Sequence, residues 1–181
     1  INLEYLSAER YVERSHGLAS PQLAGPGRAL TKWFFYPGFG PATGGLLHEP
    51  ELERERTAFV PEPWLASIGV PPLAGARRVS LFCYEPPALV QLLSQFAAPP
   101  GRTRLLVTHG RASLAVRAAL TALDEARPGW NDSQALAITL LPLLPQPEFD
   151  HLLWACDFNF VRGEDSLVRA PLLSSLGDFK N

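Results

Sequence analysis

Val79-Ser80-Leu81-Phe82-Cys83-Tyr84 is a continuous, mostly apolar run, and Pro87 to Phe96 follows it with Leu89, Leu92, Leu93 and Phe96 at helical spacing. Such a run, with no polar alternation, suits a strand covered on both faces. The couplet recurs downstream. Arg104 to Thr108 reads as a strand and Ala112 to Leu123 as a helix. Ala137 to Leu144 and Pro147 to Cys156 repeat the pair. Phe158 to Arg162 is a fourth strand, and Gly163-Glu164-Asp165-Ser166 turns into a fourth helix. Four βα units in succession predict an α/β fold with a doubly wound, Rossmann-like parallel sheet. Ligands of such sheets bind beyond the carboxyl ends of the strands. Those ends are Tyr84-Glu85, Thr108-His109-Gly110, Leu143 to Gln146, and Arg162 to Ser166.

Upstream of Arg77 the pattern is weaker and the chain is broken by many prolines, as loop-rich segments are. Ile1 to Leu6 is a short strand candidate. Ser7 to Arg14 predicts a turn or two of helix with Ser7 as N-cap. Trp33 to Phe39 is an aromatic run ending in a turn, and Glu49 to Ala58 a charged helix. The 181 residues are 46% hydrophobic and 19% charged, enough for a packed core. A formal net charge of -2 leaves no electrostatic footprint for nucleic acid. No apolar stretch approaches the ~18 residues of a membrane span, so no membrane partner is expected. Cys83 and Cys156 lie far apart without CxxC spacing. That argues against a disulfide framework or a zinc site, and a reducing cytoplasm fits. The chain opens Ile1-Asn2-Leu3-Glu4-Tyr5, without Met, and reads as a piece of a longer protein.

The sharpest local signal for chemistry is Arg162-Gly163-Glu164-Asp165-Ser166. Gly163 permits a tight turn, and the unpaired amides and positive dipole end of the helix that follows would cradle a diphosphate. Ser166 adds a hydroxyl and Arg162 a charge. Glu164 and Asp165 repel phosphate unless they face something else, such as a sugar hydroxyl. Plain helix capping by Asp165 or Ser166 explains the same pattern. Phe82 and Tyr84 could stack on a nucleobase, although packing against a helix is the commoner use of such rings. Gln146 offers donors and acceptors to a ligand, or is a solvated loop residue. His109-Gly110-Arg111 could pair a base with a phosphate-binding arginine, but no acid or nucleophile accompanies it, which favours a surface histidine. His16, His48 and His151 show no ligand spacing, so no metal is expected. There is no GxGxxG after a strand, no GxxxxGK[ST] and no GxSxG.

At these residues the chain resembles the bacterial elongation factor P arginine rhamnosyltransferases, the EarP family. The resemblance is carried by Asn2 to Glu9, Phe35 to Phe39 with Thr43 to Leu47, Ser80 to Glu85, and above all Leu152-Leu153-Trp154-Ala155-Cys156-Asp157-Phe158-Asn159-Phe160-Val161-Arg162-Gly163-Glu164-Asp165-Ser166. It implies the GT-B architecture of two Rossmann domains. It implies transfer of L-rhamnose, with inversion, from dTDP-β-L-rhamnose to an arginine of elongation factor P, and no cofactor. On this reading residues 1–47 end the acceptor-side domain, 48–76 form a linker, and 77–181 form an incomplete donor-binding domain. By motif, Phe82 and Tyr84 would line the nucleobase and ribose pocket, and Gln146 would contact the nucleotide. Arg162, Asp165 and Ser166 would hold the diphosphate and rhamnose, and Glu164 would be the residue most tied to activity. Leu143 stands where members usually carry an aromatic residue. The family's catalytic aspartates lie upstream of the residues present, and after Ala170 the sequence departs from the family. The chain alone is therefore expected not to turn over. Three alternatives remain: a binding module for the nucleotide sugar, a remnant unable to complete its sheet, and a GT-B enzyme of another donor class.

Overall fold

A computed structural model of the protein describes residues 1–46 and 51–162. The expected fourth helix, with Glu164, Asp165 and Ser166, lies outside the described residues. The chain divides into two compact units, Ile1–Pro50 and Glu51–Asn181.

The first unit is built on three short strands, β1 (Asn2–Leu3), β2 (Ala19–Pro21) and β3 (Thr31–Phe35), with helix α1 (Tyr11–Ser15) between the first two. β3 is central, parallel to β1 and antiparallel to β2. Val12 of α1 is buried. The His16 ring lies edge-on to Phe35, 5.1 Å between centroids, and its Nδ1 accepts the Tyr36 N–H at 3.2 Å. Ser7 does not cap the helix. Its hydroxyl accepts the Glu9 N–H, and α1 starts later, after Arg10. The aromatic run expected as the approach to a turn starts as strand instead: pairing on both sides of β3 uses the backbone of Trp33 to Phe35.

The second unit opens with helices α2 (Leu52–Ala58) and α3 (Pro61–Ser67). These residues, read from sequence as linker, contribute to the core. Pro61 sits in the first turn of α3, where its missing N–H is no loss. Leu65 and Val70 are buried beside Leu106, Leu141 and Leu152. Phe59 stacks on His151 at 4.9 Å and meets Trp64 and Trp154 edge-on, and the Trp64 indole donates to Glu148.

Three βα units and a last strand follow: β4 (Arg77–Leu81), α4 (Leu89–Phe96), β5 (Thr103–Val107), α5 (Arg111–Ala126), β6 (Leu136–Leu140), α6 (Gln146–Ala155) and β7 (Phe158–Phe160). All pairs are parallel and the order is β6-β5-β4-β7. The first three strands thus step outward in one direction and the fourth returns to the other side of β4, as in a Rossmann sheet. Alternation along the strands assigns the faces. Val79, Leu81, Leu105 and Val107 pack under α4 and α5 with Leu93 and Val116, and Leu106 points to the α3–α6 side. Full burial of each of these large side chains stabilises the fold by about 1.5–3 kcal/mol.

The seam between β4 and β7 is polar. Ser80, almost fully buried, donates to Asn159 Oδ1 at 2.5 Å, and Asn159 Nδ2 donates to the Leu153 carbonyl at 3.1 Å. The oxygen and the nitrogen of that amide are therefore each bonded to the protein at a three-residue strand.

The strands end sooner than their apolar runs. β4 stops at Leu81, one pairing bond short of Phe82 N–H to Phe160 O at 2.8 Å, and Pro86 and Pro87 can extend no ladder. β6 stops at Leu140, because Leu141 makes a last bond to Val107 and Pro142 has no N–H to give. Phe82 to Tyr84, Leu143 and Leu144 are consequently loop residues at the carboxyl edge of the sheet.

Candidate nucleotide-sugar site

The strand order reverses between β4 and β7, and the loops that leave those two strands diverge there. Ligand crevices of open α/β sheets form at this point. The structure places Phe82 and Tyr84 on the β4 side of the crevice and Arg162 on the β7 side. The Arg162 guanidinium carbon lies 4.3 Å from the centroid of Phe82 and 4.3 Å from that of Tyr84, so one cation covers two ring faces. The β4–β7 register brings this about, since the Phe82 N–H to Phe160 O bond sets Arg162 only two residues beyond the last paired carbonyl.

A second guanidinium comes from the neighbouring strand. The loop after β5 runs Thr108-His109-Gly110, and Gly110 (φ 94°) lets the chain turn straight into α5. Thr108 is tied to the Leu81 carbonyl through both its N–H and its hydroxyl, at 3.1 Å each. Arg111, the first residue of α5, then reaches the Tyr84 ring, 5.5 Å from guanidinium to centroid. No side chain caps α5, so its first amides and its positive dipole end face the same region as Arg111. Among the described residues no carboxylate forms an ion pair with Arg111 or Arg162. Two guanidinium groups over one exposed aromatic ring make a site for an anion carrying a flat group.

Phe82 is half-buried and meets Phe149 of α6 edge-on at 5.2 Å, so it does pack against a helix as well as facing the crevice. Gln146, the first residue of α6, is exposed. It lies one turn before Phe149 and so on the Phe82 side of the helix. Tyr84 and Leu143 are exposed. Cys83, between the two rings, is half-buried. Burial raises its thiol pKa, the nearby Arg162 charge pulls it down, and Glu85 pushes it up again. His109 is exposed beside the crevice.

The structure therefore brings Phe82, Tyr84 and Arg162 together and sets Gln146 at the adjoining helix start. Glu164, Asp165 and Ser166 belong to the stretch that is not described. Sequence reasoning attached Arg111 to His109 as a base–phosphate pair and favoured a surface role; the available signal was the glycine just before a long helix. The contact of Phe149 with Phe82 depends on a strand order that local pattern does not specify.

Fold and crevice define a Rossmann-like domain with an anion-receptive site at its switch point. The sequence matches the EarP family, described as Elongation-Factor P (EF-P) rhamnosyltransferase EarP, over residues 1–175. The chain belongs to that family. It is similar to the protein-arginine rhamnosyltransferase of Pseudomonas putida KT2440, 45% identical over 179 residues, which cover 94% of this chain and 45% of that protein. To the protein-arginine rhamnosyltransferase of Pseudomonas aeruginosa PAO1 it is 42% identical over 175 residues, 94% of this chain and 46% of that one. A solved structure concerned with EarP-mediated arginine glycosylation of translation elongation factor EF-P superposes with a TM-score of 0.60 at 36% identity. It covers 74% of this chain and 45% of its own. The chain thus spans a little under half the length of the relatives it matches.

Proposed function

We propose that the second unit is the donor side of a GT-B protein-arginine rhamnosyltransferase of the cytoplasm. Its donor is dTDP-β-L-rhamnose, and its acceptor is an arginine of elongation factor P. Residues 1–47 belong to the acceptor-side domain. The observation that carries this reading is the pair of guanidinium groups, Arg162 and Arg111, that converge on Tyr84 at the switch point of the sheet. Thymine lies against Phe82 or Tyr84, Gln146 meets the nucleotide edge, and the diphosphate sits between the two arginines.

Chemistry follows from charge. Displacement at the anomeric carbon by an arginine nitrogen leaves the C–O bonding pair on the departing dTDP, which gains one negative charge, and fixed guanidinium groups stabilise that charge without having to reorient. A carboxylate accepts a hydroxyl or guanidinium proton, the role assigned here to Glu164 and Asp165 toward the sugar and the acceptor, and the Ser166 hydroxyl is assigned as a donor to the diphosphate. Attack from the face opposite the leaving diphosphate gives inversion. The 181-residue chain alone binds donor without turning it over.

The test is calorimetry of the chain with dTDP and dTDP-rhamnose, beside a transfer assay on elongation factor P. Saturable binding of dTDP with no transfer is expected. No binding of either nucleotide would overturn the donor-site assignment, and rhamnose transfer by the chain would overturn the claim that it only binds.

A further inference from the structure

The second unit has a pocket of about 530 Å³ at the end of the sheet opposite the crevice. Its lining comprises Leu65 and Ala66 of α3, the 70–76 segment, and the charged residues Glu62, Arg78, Arg104 and Asp157. Arg78 and Arg104 are the second residues of β4 and β5, so the pocket opens at the amino edge of the strands.

Arg104 is 8% exposed. Its Nη1 donates to the neutral hydroxyl of Thr139 at 3.1 Å, and its buried Nε has no partner among the described residues. A buried cation is ordinarily matched by a carboxylate, and a buried N–H left unpaired is rare in a folded protein. The carboxylates of the lining are turned to Arg78. Glu62 pairs with its guanidinium at 3.2 Å, and Asp157 accepts its backbone N–H at 2.7 Å. Neither forms an ion pair with Arg104. Burial lowers the Arg104 pKa, and the charge of Arg102 lowers it further, as for a cation with no counter-charge beside it.

We propose that this pocket is a binding site for a small organic monocarboxylate with an apolar body. The carboxylate meets Arg104, the buried cation of the lining. Leu65, Val70, Pro71, Pro72 and Leu73 supply the apolar wall. Glu62 and Asp157 at the lining repel a second negative charge, which selects a monoanion over phosphate. The site shares no residue with the crevice, so it stands or falls apart from the donor reading.

The experiment is a ¹H–¹⁵N NMR titration of the 181-residue chain at constant ionic strength. It follows the Arg104 Nε–H and the amides of Ala74 to Ala76. The probes are acetate, butyrate and hexanoate, with hexanol and inorganic phosphate beside them. Saturable shifts are expected for the carboxylates, about tenfold tighter for hexanoate than for butyrate as two more methylenes are buried. Hexanol and phosphate should bind at least tenfold more weakly than hexanoate. Arg104→Met should abolish the hexanoate response at Ala74 to Ala76. Should that variant fail to fold, Ala66→Phe decides the matter, because it fills the pocket from an exposed helix position and leaves Arg104 in place. Loss of the response in Ala66→Phe supports the site. Absence of saturation in the parent chain, phosphate binding as well as hexanoate, or an unchanged response in either variant would overturn it.

Discussion

Removing the side chain of Arg162 should split nucleotide from nucleoside recognition. In the free protein its guanidinium sits 4.3 Å from both the Phe82 and Tyr84 centroids. At a half-buried position each contact contributes about 0.5–1 kcal/mol, so Arg162→Ala should cost the free chain about 1–2 kcal/mol. Toward a diphosphate the same group supplies charge-assisted hydrogen bonds, with a net contribution of about 1.5–3 kcal/mol, roughly 10- to 150-fold in Kd. A thymine ring seated on Phe82 or Tyr84 must displace the guanidinium first, and deleting that group removes the competitor. Isothermal calorimetry with dTDP and with thymidine should therefore diverge. Arg162→Ala should weaken dTDP by about 10- to 150-fold and leave thymidine unchanged or tighter. Arg162→Lys should fall between, because it keeps a charge and loses the planar fork. The dTDP difference should narrow at high salt. An equal loss for both ligands, or none for either, would refute the assignment of Arg162 to the phosphates.

Three further outcomes follow from the packing. Ser80→Ala leaves Asn159 Oδ1 without its donor at the β4–β7 seam, and a urea melt should show a loss of about 1–2 kcal/mol; an unchanged midpoint would show that water satisfies the amide. Gly44→Ala places a methyl against the Phe35 ring and 2.8 Å from His16 Cε1, which should destabilise the first unit by about 1–3 kcal/mol. Hydrogen exchange would then rise in β1 to β3 and not in β4 to β7, whereas uniform exchange would contradict separate units. Burial pushes the Cys156 thiol from 9.0 up to about 12. A raised thiol pKa favours the folded state while the thiol stays protonated, so this contribution is full below about pH 9 and is lost as pH rises toward 12. Alkylation at pH 8 followed by mass spectrometry should modify Cys156 only in denaturant.

The second unit was legible because each of its first three strands lies in an apolar run followed by a helix, as in Val79 to Phe96. What the sequence concealed was pairing order. Nothing local to Phe158-Asn159-Phe160 says that it returns beside β4, and that return alone puts Arg162 over Phe82 and Tyr84. Helix α3 was hidden for a different reason: Pro61 and Pro63 count as loop punctuation in a linear reading, yet the first turn of a helix accepts proline. The core role of residues 51–70 was missed with it, because Leu65 and Val70 reveal their burial only against Leu106 and Leu152. Ser7 matched a capping pattern, and its hydroxyl bonded two residues ahead instead. The apolar runs also overstated strand length, since Pro142 and the Pro86-Pro87 pair end the hydrogen-bond ladder while the hydrophobicity continues.

Asn159 offers a lesson for anyone wishing to redesign donor preference. A shift of β7 by one residue along β4 would carry every atom beyond it about 3.3 Å and turn each side chain to the other face. Arg162 would leave both rings, although none of the three residues had been changed. A strand of three residues has little else to fix its alignment, so the carboxamide clamped by Ser80 and Leu153 acts as the datum from which the crevice is measured. Library designs that vary the rings or the arginine leave this alignment in place. Those that touch this half-buried amide would alter specificity from a distance, through a dislocated strand.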